Sequence, residues 1–114
     1  MKKVLIRVGV IGDRIEGLSN IRVDRVTGLG NPFFKHDESM RDSVCEQYDE
    51  WFQTEVDKDG SSLRQNFLQI VNIVNSGESV NLTCHCRPKR CHANTIARSL
   101  KENCKNVQVE LDLS

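Results

Sequence analysis

Residues 3–11, KVLIRVGVI, are β-branched and mostly apolar, the pattern of a strand covered on both faces. Residues 21–26, IRVDRV, alternate instead. Ile21, Val23 and Arg25 fall on one face and Arg22, Asp24 and Val26 on the other, which predicts a half-exposed second strand. Gly12, Gly17, Gly28 and Gly30 punctuate the connections, and Asn31-Pro32 forces an extended or turned backbone because proline clashes with a helical predecessor. Residues 27–38 are therefore read as an ordered loop. Ser39 followed by Asp42 resembles a capping box and opens a helix to about Val56. Val44, Tyr48, Trp51, Phe52 and Glu55 lie near one stripe of it, all but Glu55 suited to burial.

The polar stretch DKDGSS closes that helix, and Ser61 or Ser62 caps the next, in which Leu63, Phe67, Ile70, Val71 and Val74 recur at helical spacing. Gly77 stands where a left-handed C-terminal cap belongs. Residues 79–86, SVNLTCHC, place Val80, Leu82, Cys84 and Cys86 on one strand face and Asn81, Thr83 and His85 on the other. A helix from about Asn94 to Asn103 turns Ile96, Ala97 and Leu100 inward, and VQVELDL alternates as a last strand. The predicted order is β-β-α-α-β-α-β. It describes an α/β fold with a mainly parallel sheet flanked by helices, whose final β-α-β unit is a right-handed parallel crossover.

At 114 residues the chain is read as one domain, 1–114, with no repeat or linker. Sixteen Lys plus Arg balance sixteen Asp plus Glu, which argues against a histone-like binder that needs surplus cations to displace counterions. Neutrality conceals asymmetry: residues 37–59 carry a net charge of −7 and residues 85–105 a net +5. No apolar run reaches the ~20 residues of a bilayer-spanning helix, and Arg7 interrupts the apolar N-terminal stretch without a cleavage site after it, so neither membrane insertion nor a leader is expected. Five cysteines, three of them within eight residues, suit reduced thiols and a cytoplasmic location better than a disulfide framework.

The densest chemical signal is CHCRPKRCH, residues 84–92, at a strand-to-helix junction. Such junctions lie at the carboxyl end of a strand, where α/β sheets bind ligands and a helix N-terminus offers N–H groups to anions. Arg87, Lys89 and Arg90 add positive charge there, so a phosphate or carboxylate ligand fits. The same setting favours a thiolate, making Cys91 the candidate nucleophile with His92 or His85 as a base. Cys84 and Cys86 continue the apolar face of Val80 and Leu82, where a cysteine is often just a small buried residue. Zinc on Cys84, Cys86, Cys91 and a histidine fits by ligand type, but one cluster lacks the two separated knuckles of a structural site. No metal ligand is therefore assigned, and no cofactor is expected. Cys45 and Cys104 are lone helical residues.

A second candidate is Arg25 with Gly28 to Phe33: glycines such as Gly30 admit close backbone approach, Asn31 can read a polar edge, and Phe33 or Phe34 can stack on a ring. Alone this loop is weak, since Gly, Asn and Pro make turns everywhere. The segments taken together resemble a family of bacteria and their phages, domain of unknown function 4326. The resemblance rests on Arg25, Leu29 to Phe33, then Val44, Tyr48 and Trp51, then Cys84, Cys86, Pro88, Cys91 and His92, over roughly residues 21–100. It implies no established activity. Asn94 stands where the family commonly has Asp; it can cap the helix but cannot serve as a carboxylate base.

The leading expectation is a small α/β protein binding a nucleotide or similar phosphorylated metabolite. Arg25, Gly30, Asn31, Cys91, His92 and Asn94 line its pocket, and Arg87, Lys89 and Arg90 stand near the anion. Whether catalysis follows is open between hydrolysis, group transfer and thiol chemistry. The alternative is a noncatalytic interaction protein that binds a host component through its charge asymmetry. Specific nucleic-acid recognition is disfavoured, because RPKR is too short for a groove-tracking basic surface.

Overall fold

In the computed structural model the described residues are 2–10, 12, 16–23, 29, 38–84 and 92–113. Strands β1 (Lys2–Val10) and β2 (Ser19–Arg22) lead to helices α1 (Arg41–Val56) and α2 (Ser62–Asn75). Strand β3 (Val80–Cys84), helix α3 (Ala93–Asn103) and strand β4 (Val107–Asp112) complete the chain. The strands form one sheet in the order β2-β3-β1-β4, every pairing parallel. The expected α/β class and element order are therefore observed, and β3-α3-β4 is a parallel crossover that passes β1.

Alternation along the strands builds the core. Val4, Ile6 and Val8 of β1 and Val80, Leu82 and Cys84 of β3 are buried with Tyr48, Phe52, Phe67, Ile96 and Leu100 in one cluster. Phe52 and Phe67 join α1 to α2 edge-on at 5.4 Å. The other sheet face is polar. There Asn20, Asn81 and Arg7 lie in one cross-strand row, with Arg7 donating to Asn81 Oδ1 at 3.1 Å and Asn81 Nδ2 to Asn20 Oδ1 at 2.9 Å. The fully buried Asn81 amide thus has partners for both its oxygen and its nitrogen, which offsets its desolvation. For β1 this corrects the expectation of a strand apolar on both sides: Leu5 and Arg7 are only half-buried.

Several boundaries differ from the sequence reading for identifiable reasons. β2 starts at Ser19, earlier than the alternation suggests, because Ser19 N–H bonds the Ser79 carbonyl and the ladder on β3 runs from there. Val23 closes that ladder through Thr83. The start of α1 differs from the expected cap at Ser39. A 3-10 turn, Glu38–Met40, precedes α1, so Ser39 already lies inside a helical turn, and the N-cap is Met40 without a side-chain bond. On α1, Val44, Tyr48 and Phe52 are buried as expected, Cys45 joins them, and Trp51 is only half-buried.

α2 follows its sequence pattern closely. Ser61 is the N-cap, its hydroxyl accepting from Arg64 N–H at 3.0 Å. At the other end Gly77 has φ +98°, its N–H bonds the Val74 carbonyl, and Glu78 N–H bonds the Ile73 carbonyl. Those two bonds are a Schellman closure, which requires the left-handed glycine.

Candidate functional site

In the order β2-β3-β1-β4, the chain leaving β1 turns back past β3 to β2, whereas the chain leaving β3 passes β1 through α3 to β4. Two adjacent parallel strands whose exits run in opposite directions leave a crevice at their carboxyl ends, the usual ligand position in such sheets. Val10 and Cys84 are register partners at that end. His92, the residue before α3, and Val23, just beyond β2, meet at the same end of the sheet, on the β2 side of β3.

His92 is buried, 7% exposed. Its Nε2 lies 2.5 Å from the Val23 carbonyl oxygen. A carbonyl only accepts, so this bond requires the proton on Nε2. The ring packs edge-on against Tyr48, with centroids 5.1 Å apart. Tyr48, fully buried, donates its hydroxyl to the Leu29 carbonyl at 2.7 Å. One aromatic pair therefore holds both ends of the segment that runs from Val23 to Leu29 and contains Arg25.

This relationship explains why the sequence motifs occur together. The Arg25-to-Phe33 loop, the Tyr48 helix and the Cys91-His92 junction are separate in the chain, yet Tyr48 and His92 join them through two backbone carbonyls. By sequence Tyr48 lies on a stripe suited to burial and is one of the positions that carry the family resemblance, a pattern that assigns no partner to its hydroxyl. The signal available was its hydroxyl: a tyrosine on a stripe otherwise suited to phenylalanine must find a partner once buried.

A polar contact lies beside the aromatic one. Thr95 Oγ1 donates to Asp49 Oδ1, so consecutive residues of α1, Tyr48 and Asp49, meet His92 and Thr95 of α3. Nothing local in the sequence marks that pair. Asn94 is half-exposed at the second position of α3, not at its cap. The expectation that it caps the helix is corrected, because the helix begins one residue earlier, at Ala93, with His92 as N-cap and no side-chain cap bond.

Of the candidate residues, the structure describes His92 and Asn94, both at the start of α3. Arg25, Gly30, Asn31, Arg87, Lys89, Arg90 and Cys91 lie outside the described residues, as do His85, Cys86, Phe33, Phe34 and most of the 27–38 loop. Cys84 is fully buried on the core face with Val80 and Leu82. Cys45 and Cys104 are buried too, and burial raises the Cys104 thiol above its ordinary pKa. Among the described residues no group of three or more His, Cys, Asp or Glu is placed to hold a metal ion. No helix among them is long and apolar enough to cross a membrane.

An open groove of about 440 Å³ lies at the α1–α2 corner, lined by residues including Trp51, Glu55, Lys58 and Leu63. Its polar groups serve the corner itself: Ser61 Oγ donates to the Glu55 carbonyl at 2.7 Å while capping α2, and Arg64 donates to the Val56 carbonyl at 2.7 Å. Neither His92 nor Asn94 lines it.

No curated protein and no solved structure matches the chain. A family model described as Domain of unknown function (DUF4326) matches residues 12–102, a span from the turn after β1 almost to the end of α3. β1 and β4, a central and an edge strand of the sheet, lie outside the matched span. With most of its length covered, including the Tyr48–His92 pair and both carbonyls it holds, the chain belongs to the DUF4326 family.

Proposed function

We propose that the protein binds a nucleotide or similar phosphorylated metabolite in the crevice between the carboxyl ends of β1 and β3. One observation carries this reading: Tyr48 and His92 bond the two ends of the Arg25 segment, Leu29 and Val23, next to the start of α3 at the carboxyl end of the sheet. An anion there meets the N–H groups of the first turn of α3 and the charges of Arg25, Arg87, Lys89 and Arg90. Cys91 is the nucleophile this reading assigns if a covalent step occurs. His92, with Nε2 bonded to Val23, holds the junction in shape.

Native mass measurement of freshly purified protein, before and after chelator, tests the reading. A retained phosphorus-containing small molecule, diminished in Arg25→Ala and Cys91→Ala variants that fold normally, supports it. Retention at wild-type occupancy in both variants shows the pocket assignment to be wrong. A mass excess matching zinc that chelator removes reassigns the clustered thiols to metal.

A second reading, a noncatalytic protein that binds a basic partner, is favoured by the exposed Asp42, Glu46 and Glu50 on α1. Stoichiometric capture that survives Cys91→Ala and His92→Ala but is lost in Glu46→Lys with Glu50→Lys distinguishes it.

A further inference from the structure

β4 is an edge strand: it pairs with β1 and with no other strand among the described residues. The outer backbone groups of Val107 to Leu111 have no partner among those residues. The opposite edge, β2, is four residues long, whereas β4 has six and carries neither the proline nor the lysine that commonly blunts an edge. Its register on β1 sets Val109 beside Val4 and Leu111 beside Ile6, so both side chains lie on the core face. Val4 and Ile6 are buried there, but Val109 and Leu111 are only half-buried, because no strand lies outside them. On the other face Gln108 and Glu110 are exposed.

A free edge with a half-covered apolar strip is completed by a further strand, and the sequence of β4 decides which strand fits. Consider antiparallel pairing with a second copy about a two-fold axis at Val109. Val107 then faces the partner's Leu111, Val109 faces the partner's Val109, and Gln108 faces the partner's Glu110. Opposed residues of an antiparallel pair project to the same face, so the aliphatic pairs extend the core strip and the polar pairs meet on the outer face. The Gln108 amide donates and the Glu110 carboxylate accepts, and symmetry makes this contact twice. An axis at Glu110 would instead oppose two carboxylates, which is unfavourable. We infer that β4 is a homodimer interface, through which two copies join their four-stranded sheets into one by antiparallel β4 pairing centred on Val109. None of the residues assigned to the anion site lies on β4, so this stands apart from that reading.

Sedimentation velocity of the full chain over a concentration series tests it, with wild type, Gln108→Glu, Gln108→Lys and the double variant Gln108→Glu with Glu110→Lys. Both positions are exposed, so the fold is retained, which unchanged far-ultraviolet circular dichroism verifies. Wild type is expected to sediment as a reversible dimer. Gln108→Glu sets carboxylates face to face at both symmetric contacts and weakens the dimer roughly 3- to 10-fold, whereas Gln108→Lys makes two ion pairs and tightens it by a similar factor. The double variant restores opposite charges across the axis and returns the dimer at least to wild-type strength. A wild type that stays monomeric up to about 1 mM overturns the inference and leaves the edge to a foreign strand or to none. A dimer indifferent to the charge at residue 108 overturns it as well, placing the contact elsewhere, and so does a double variant as weak as Gln108→Glu.

Discussion

The rings of Tyr48 and His92 meet edge-on at 5.1 Å, and each directs its donor to a carbonyl of the same chain segment, Leu29 for Tyr48 and Val23 for His92. The pair lies where α1, α3 and the end of β2 converge. Its consequence is geometric: the position of the Arg25 segment relative to the start of α3 depends on two side chains from elements distant in sequence.

Tyr48→Phe keeps the ring and removes the hydroxyl, leaving the Leu29 carbonyl without that donor. A buried acceptor stripped of its partner costs about 1–3 kcal/mol. Urea unfolding should show a loss of that size, and amide exchange near Leu29 should quicken. A midpoint equal to wild type would mean that the bond contributes nothing to stability.

At His92 the two halves of the interaction separate. His92→Phe preserves ring packing on Tyr48 but deletes the donor to Val23, and is expected to destabilise by about 1–3 kcal/mol. His92→Gln retains an N–H donor and loses the edge-on aromatic contact, worth about 0.5–1.5 kcal/mol. Equal urea midpoints for His92→Phe and wild type would assign the role of His92 to its ring alone.

Burial of Cys104 sets an alkaline limit. Its folded thiol pKa is raised by desolvation, so the folded state holds its proton longer than the unfolded state does. The stability this contributes is fully present below the unfolded thiol value of about 8.5 and falls as pH rises above it, by at most ~1.4 kcal/mol per pH unit. Denaturation at stepped pH should show Cys104→Ala declining less steeply than wild type above that point. Parallel curves would contradict the assignment.

Gly77 carries a local requirement. At φ +98° a side chain is strained, and an added Cβ would lie 2.6 Å from Lys2 Cδ. Gly77→Ala is expected to lower stability by about 1–2 kcal/mol. Adding Lys2→Ala should recover only the steric part, because the backbone strain remains. Full recovery in thermal unfolding would show that the clash was the whole effect.

What could be read in the chain depended on whether a feature was local. The stripe of α2, its Ser61 cap and the Gly77 closure all lie within a few residues, and each is found in place. The alternation of β3 likewise anticipated burial of Val80, Leu82 and Cys84. β2 starts two residues before the alternation because Ser19 and Asn20 pair through β3, a strand some sixty residues later whose register local composition does not encode. For the same reason, the partners of the Tyr48 hydroxyl and of Asp49 were invisible: each bond crosses elements, and only the assembled sheet brings the groups together. The Cys-His junction stands out in the sequence by its density of thiols, imidazoles and cations; of it the structure describes Cys84, buried at the end of β3, and His92, at the start of α3 and bonded to the Val23 carbonyl.

The proposed anion site joins the Arg25 segment to the start of α3. Titrating isotope-labelled protein with inorganic phosphate, while following the amides of Val23, Leu29, Ala93 and Asn94, tests it most directly. These signals are expected to shift together with a single saturation constant, and Arg25→Ala to abolish the shifts. Saturable shifts confined to one of the two segments, or none at either, would contradict it.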